Sequence, residues 1–212
     1  YSIQNGNLKK NEFGKDVLVS QKDFEDSGVC VFDINNDGLN DLYVTRGSYE
    51  STNSNQLQDI IYINTGNGFR IEKSPITSNS LFPVSLDFDQ DGDEDIFVGG
   101  GVIPGKYPIG SSSYILTNDN GKLIKSKLEL EQSAIITGAQ AFDVNNDGSD
   151  EIVVIGEWMA PQIFKWTNNE WSNISNNYFP HGLKGLWSAL HIADIDNDGV
   201  NEILLGNLGL NT

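Results

Sequence analysis

Four nine-residue segments of this chain place oxygen-bearing side chains at spacings that suit a bound cation. Each has Asp first, Asp or Asn third, Asp fifth, Gly sixth and an acidic residue ninth; the segments are 33–41, 87–95, 143–151 and 194–202. Oxygen ligands at alternate positions around a Gly are typical of loops that bind a hard cation such as Ca²⁺. The sequence therefore predicts up to four Ca²⁺ sites, in calcium loops one to four.

The candidate ligands stand at positions one, three, five, seven and nine of each calcium loop. They are Asp33, Asn35, Asp37, Leu39, Asp41, Asp87, Asp89, Asp91, Asp93, Asp95, Asp143, Asn145, Asp147, Ser149, Glu151, Asp194, Asp196, Asp198, Val200 and Glu202. Loop two has Asp at positions one, three, five and nine, so we expect it to bind best. Asn35 and Asn145 replace the third carboxylate in loops one and three, which we expect to bind more weakly because ligand charge tunes affinity.

These loops differ from the EF-hand, in which helices flank the loop and a bidentate Glu stands at position twelve. Position twelve here is Val44, Val98, Val154 and Leu205. The flanking runs are short and rich in β-branched and aromatic residues, which is typical of strands. Each loop is therefore predicted to join two strands of a hairpin, with its Gly at positive φ.

The calcium loops recur at a nearly fixed period. Their first ligands are 54, 56 and 51 residues apart, and a second hairpin with an Asn- or Gly-containing turn lies within each period, at 60–69, 114–123 and 163–171. Such turns between alternating runs are a strong hairpin signal. Two hairpins per period give the four strands of a propeller blade. The predicted fold is all-β, a β-propeller of about four blades with four antiparallel strands each.

The positions at which the repeats begin and end predict the blade boundaries within a single propeller region over 1–212. We expect a half blade at 1–20, blades at 21–75, 76–130 and 131–180, and a half blade at 181–212. The terminal halves could pair and close a four-bladed ring, which would remove exposed strand edges. Alternatively the chain is an arc of a larger propeller, completed by other domains of a longer parent chain or by another copy. We favour the arc.

Composition limits the classes of partner. The net charge is −17, which argues against nucleic acid or an anionic membrane surface, and four bound Ca²⁺ would bring it to about −9. No stretch of the sequence is apolar enough to insert into a membrane. The single cysteine, Cys30, excludes a disulfide framework and is predicted to be a buried, unreactive thiol. The abrupt start and end of the chain lead us to expect a segment of something longer.

The repeat resembles the FG-GAP/VCBS repeat family, whose calcium-loop blades also build the propeller of integrin α-subunits. Residues 97–108, 154–161 and 205–211 are similar to the repeat region of VCBS surface proteins that often carry an ASPIC/UnbV module. The resemblance implies secreted or surface-exposed, non-catalytic propellers used for adhesion or ligand binding. It also implies that the loop residues given above are the calcium ligands.

A partner is expected on the face opposite the calcium loops, where long connections emerge, because loops on a rigid scaffold usually carry binding. Six residues there could supply aromatic surface and hydrogen-bond donors: Arg46, Tyr49, Lys106, Tyr107, Trp158 and Trp187. An alternative for the aromatic residues is that they pack between blades or stiffen their loops.

Three functions follow from these observations. The favoured one is a calcium-binding module, extracellular, on the cell surface or periplasmic, that binds a glycan or protein without catalysis. The second is a polysaccharide lyase or hydrolase, which would need a general acid and base away from the metal loops. Acids outside the loops, such as Glu50, Glu157 and Glu170, are scattered in the sequence. The third is a structural spacer in a larger surface protein.

Overall fold

The computed structural model describes residues 2–5, 7–9, 13, 24–47, 49–50, 53–130, 134–181 and 183–209. Most of the predicted half blade at 1–20, including 10–12 and 14–20, lies outside the described residues, as do 131–133 and 210–212. The described residues contain short 3₁₀ turns at Ser54–Gln56 and Ser175–Asn177 and no α-helix. Their strands are β1 Ser2–Gln4, β2 Asn7–Lys9, β3 Asp26–Phe32, β4 Asp41–Arg46, β5 Gln58–Asn64, β6 Phe69–Thr77, β7 Ser80–Leu86, β8 Asp95–Gly100, β9 Ser113–Asp119, β10 Lys122–Leu130, β11 Ile135–Phe142, β12 Glu151–Met159, β13 Gln162–Thr167, β14 Glu170–Asn173, β15 Gly185–Ala193 and β16 Glu202–Asn207.

The strands form three successive four-stranded antiparallel blades: β3 to β6, β7 to β10 and β11 to β14. In each blade a calcium loop joins the first two strands, and the Asn- or Gly-containing turn joins the last two. The first strands of successive blades contact one another, from β3 through β7 and β11 to β15. The predicted all-β propeller fold is confirmed, since these are the sheets of propeller blades.

A final hairpin, β15 and β16, extends the third blade. The far end of β12 pairs with the start of β15, with Glu157 opposite Leu186 and Met159 opposite Gly185. At the other end of the chain β1 pairs with β2 in a separate two-stranded sheet. Among the described residues, the sheets include no blade that combines β1 and β2 with β15 and β16. The arc of a larger propeller, and the residue boundaries between blades, stay predictions.

Apolar side chains are buried where neighbouring blades face each other. The cluster between the first and second blades contains Phe32, Ile34, Tyr43, Ile61, Ile63, Ile76, Ile96, Val98, Leu116 and Leu123. The cluster between the second and third contains Leu86, Phe88, Phe97, Ile115, Ile136, Ile152, Val154, Met159 and Phe164. Each buried Ile, Leu or Phe contributes about 1.5–3 kcal/mol. A blade therefore depends on its neighbours for stability, as in other repeat proteins.

Cys30 lies half-buried on β3 and packs against the first of these clusters. Burial raises the pKa of its thiol to about 12. The thiolate, which is the reactive form, is therefore scarce at neutral pH.

Candidate metal centres and ligand surface

The four calcium loops share one backbone geometry. In each loop the first Asp accepts N–H groups from positions five and six; in loop one, Asp37 N and Gly38 N lie 3.1 and 2.6 Å from the carboxylate oxygens of Asp33. Loops two, three and four repeat the pair at 2.8–3.1 Å. The sixth-position glycines have φ between 85° and 97° in all four loops, a region in which a side chain is strained. The chain is thus wrapped around its first carboxylate.

The carboxylate at position nine closes each loop from the second strand. It accepts the N–H of position two, at 3.1 Å for Asp41 and Ile34 and at 2.9 Å for Glu202 and Ile195. In loops one and two it also accepts an N–H from the third strand, including that of Asn118 to Asp95 at 2.7 Å. These bonds fix the ninth-position carboxylate at the base of its loop.

Loops two and four bring carboxylates together at hard-cation spacing. The oxygens of Asp87, Asp89 and Asp95 lie within 4.8 Å of one another. A second such group consists of Asp194, Asp196 and Glu202. Three converging carboxylates fit Ca²⁺, which prefers oxygen ligands and several acidic groups. In loops one and three an Asn stands at position three, as the sequence shows.

Burial disfavours the ionised form of the position-nine carboxylate of loop two. Asp95 is fully buried, and this burial raises its pKa to about 7; the carboxylates of Asp89 and Asp91 add to the rise. Burial likewise raises the pKa of Asp41 in loop one. A bound cation would favour the ionised form of these groups, because opposite charge compensates for lost solvation.

Loop three contains a lysine that the sequence analysis did not identify. The ammonium of Lys165, on β13, donates to the carboxylate of Asp147 and, at 2.8 Å, to Oε1 of Glu151. The side-chain amide of Asn145 donates to the same Oε1 at 2.7 Å. The hydrogen bond from Lys165 lowers the pKa of Asp147, and the same contact raises the pKa of Lys165. In the sequence, Lys165 could have been noticed as the one cationic residue in the otherwise apolar and aromatic run 163–166.

Adjacent calcium loops touch through polar side chains. Asn36 donates its side-chain amide to Asp93 at 2.5 Å, and Gln90 donates to the hydroxyl of Ser149 at 2.6 Å. Both bonds run from position four of one loop to position seven of the next. In loop four position seven is Val200, which has no side-chain acceptor. The loops of the three complete blades therefore form one contiguous face.

Two of the predicted ligand residues, Tyr107 and Trp158, meet on the opposite face. The indole N–H of Trp158 donates to the Tyr107 hydroxyl at 3.2 Å, and that hydroxyl donates to Glu157 at 3.0 Å. Tyr107 is 57% and Trp158 58% exposed, and Lys106 beside them is also exposed. We call Lys106, Tyr107, Glu157 and Trp158 the aromatic patch. Tyr49 is exposed on the equivalent connection of the first blade.

Arg46 and Trp187 are buried and lie outside the exposed aromatic patch, and their ligand-binding role stays a prediction. Arg46 is 2% exposed; its guanidinium contacts Asp26 and lies over the ring of Phe24. Trp187 is 6% exposed and donates its indole N–H to the carbonyl of Met159 at 3.0 Å. Both lie on strands and point into the fold, which a loop-based assignment from sequence does not reveal.

Four-stranded blades that carry an acidic loop between their first two strands define a repeat β-propeller with candidate metal centres. A model of the FG-GAP-like repeat matches three overlapping segments, 33–98, 87–154 and 143–205. Each match starts at the first ligand of one calcium loop and ends in the strand that follows the next. Because the matches cover most of the chain, it belongs to the FG-GAP-like repeat family. No curated protein matches the chain, and the closer resemblance to VCBS and ASPIC/UnbV proteins stays a prediction.

Proposed function

We propose that this chain is a calcium-binding, non-catalytic binding module that recognises a glycan or protein ligand outside the cell, on its surface or in the periplasm. The observation that carries the calcium part is the convergence of three carboxylates in loop two and again in loop four. FG-GAP-like repeats often bind calcium, are typically non-catalytic and usually occur in extracellular domains. In the part of the chain that the structure describes, no helix has the length and hydrophobicity to cross a bilayer.

Calcium would act here as part of the folded state. Without a cation, the clustered carboxylates of loops two and four repel one another, and Asp95 is both buried and close to Asp89 and Asp91. Metal binding is therefore coupled to folding. Extracellular modules bind Ca²⁺ with Kd of about 10⁻⁴ to 10⁻³ M. A 100-fold excess of Ca²⁺ over Kd would add about 2.7 kcal/mol per site.

Thermal unfolding of the purified chain in Ca²⁺, in Mg²⁺ and in EDTA tests the calcium part. We expect EDTA to lower Tm by several degrees per lost site, and Ca²⁺ to restore it better than Mg²⁺ because the larger ion tolerates irregular oxygen geometry. Bound calcium, measured by atomic emission after dialysis, provides the second readout. An equal Tm in Ca²⁺ and EDTA, with no bound calcium, would exclude the proposal.

The aromatic patch is the proposed ligand surface. It combines two exposed aromatic rings with an ammonium group from Lys106 and a carboxylate from Glu157. Exposed aromatic residues offer large contact area with a polar edge, and such groups are enriched where proteins bind partners. Glycan arrays and peptide libraries probed with the calcium-loaded chain test this part. Turnover of a polysaccharide that depends on Glu157 would favour the alternative of a polysaccharide-processing enzyme.

A further inference from the structure

The third calcium loop already contains a cationic group from its own blade. Lys165 donates to Asp147 at position five and to Glu151 at position nine, two of the positions proposed as calcium ligands. Glu151 is fully buried, and the Lys165 side chain is 21% exposed. The ammonium therefore bridges the buried carboxylate of Glu151 and the exposed carboxylate of Asp147, and it supplies a positive charge to both.

Strand register shows that this lysine is particular to the third blade. Phe164 pairs with Ile152, the residue after Glu151, so Lys165 is one residue beyond that pair. In the second blade Leu116 pairs with Ile96, which makes Thr117 the equivalent residue. In the first blade, by the same register, it is Ile63. Neither Thr nor Ile can supply a positive charge, so loops one and two have no such internal cation from this strand.

The amide at position three also has a different role in loop three. Asn145 turns its NH₂ group toward Glu151 and donates to the oxygen that accepts from Lys165. In loop one the oxygen of Asn35 instead accepts the N–H of Asp37 at 3.1 Å. One oxygen of Glu151 thus has two donors within the protein. The other accepts the N–H of Val144 at 2.9 Å.

We infer that the Lys165 ammonium is the resident cation of loop three, so that this loop closes without Ca²⁺ and the chain binds at most three ions. A Ca²⁺ ion in this loop would have to displace the ammonium and would then lie beside it as a like charge. The inference rests on the proposed function, because it states which of the proposed calcium sites take the ion. Its consequence is a third blade whose loop keeps its shape when calcium is scarce.

Substitutions that remove or add this charge test the inference. Lys165→Met removes the charge and keeps much of the side-chain length, and we expect it to add one bound Ca²⁺ per chain. In EDTA this variant should melt below the wild type, because the buried Glu151 then lacks its cationic partner, and Ca²⁺ should restore the difference. Lys165→Arg keeps the charge and is the matched control, with unchanged stoichiometry. Thr117→Lys places an ammonium at the equivalent position of the second blade and should remove one ion.

Bound calcium per chain, measured by equilibrium dialysis at rising Ca²⁺, is the readout, and a crystal grown in Ca²⁺ locates the ions. Wild-type protein with an ion in loop three, or Lys165→Met with no added ion, would overturn the inference and leave the proposed function intact. Absence of bound calcium in both proteins would overturn the proposed function itself. If Lys165→Met fails to fold, Lys165→Gln and Thr117→Lys provide the same comparison of stoichiometry.

Discussion

The side-chain amide of Asn118 donates to the main-chain carbonyl of Ile34, 84 residues earlier in the chain, at 2.8 Å. The same NH₂ group reaches the carbonyl of Glu94 at 3.2 Å, and the amide oxygen accepts the N–H of Gly121 at 2.9 Å. Asn118 is buried at the end of β9. One side chain therefore joins calcium loop one to calcium loop two across the interface between the first and second blades.

Replacement of Asn118 by Ala should destabilise the chain strongly. The change leaves the buried carbonyl of Ile34 without its donor, and an unsatisfied buried polar group costs about 1–3 kcal/mol. Asn64 occupies the same register in the first blade, but its amide donates to the exposed carbonyl of Asn40 in its own blade. We expect Asn64→Ala to cost no more than about 1 kcal/mol. Urea unfolding of both variants measures the difference, and equal losses would contradict the cross-blade role.

Calcium affinity should depend on the charge at position three of loop two. Asp89→Asn gives this loop the Asn that loop one has at position three, and we expect its Kd for Ca²⁺ to rise by about tenfold, equivalent to about 1.4 kcal/mol. Glu94→Gln removes a charge from position eight of the same loop, which is not a predicted ligand, and serves as the control. Calorimetric titration with Ca²⁺ compares the variants. A similar loss in both would show that net charge, and not ligand position, sets the affinity.

The sequence predicted the blades well because their signals are local and repeated. Alternating apolar runs around Asn-, Asp- and Gly-rich turns give both the strands and their antiparallel order, so the three four-stranded sheets could be predicted without tertiary information. The conformations of Gly38 and Gly92 also follow from the motif. The family matches begin at the calcium loops, and they depend on the same local, repeated sequence signals.

The features that could not be predicted from the sequence are contacts between residues far apart in the chain. Lys165 is one polar residue in a strand, and only the register of β12 and β13 places its ammonium beside Glu151. Arg46 and Trp187 are residue types that often bind ligands, but their burial follows from how the strands pack. The meeting of Tyr107 with Trp158 depends on the contact between neighbouring blades. These relationships become visible only when the blades are assembled.

Stability should fall as pH rises from about 4 to about 7, in part because of Asp59. This carboxyl is fully buried on β5, where it accepts the N–H of Arg46 at 2.8 Å and the hydroxyl of Tyr43 at 2.9 Å. Burial raises its pKa to about 7, whereas the unfolded chain has a value near 3.9. The folded state therefore binds more protons over this range, and its stabilisation by the neutral carboxyl is lost as pH passes the folded pKa. The full difference is on the order of 4 kcal/mol.

Asp59→Asn removes this titration and keeps an oxygen that can accept from Arg46. We expect the variant to have a flatter dependence of unfolding free energy on pH between 4 and 7 than the wild type. Both proteins are measured by urea unfolding in EDTA, so that carboxylates of the calcium loops, such as Asp95, contribute equally to the two curves. Parallel curves would show that Asp59 does not titrate in this range.

Ligand binding should depend on the aromatic patch and not on exposed aromatic residues in general. Trp158→Ala removes the larger ring, and we expect the affinity for the glycan or peptide found by screening to fall tenfold or more, since a buried aromatic contact is worth at least about 1.4 kcal/mol at an interface. Tyr107→Phe keeps the ring but loses the hydroxyl that contacts Trp158 and Glu157, so a smaller loss is expected. Tyr178→Ala, at an exposed tyrosine after the second 3₁₀ turn, is the control. Because these side chains are exposed, Tm should change little in all three variants. Unchanged affinity in Trp158→Ala, with binding retained by the control, would place the ligand elsewhere on the propeller.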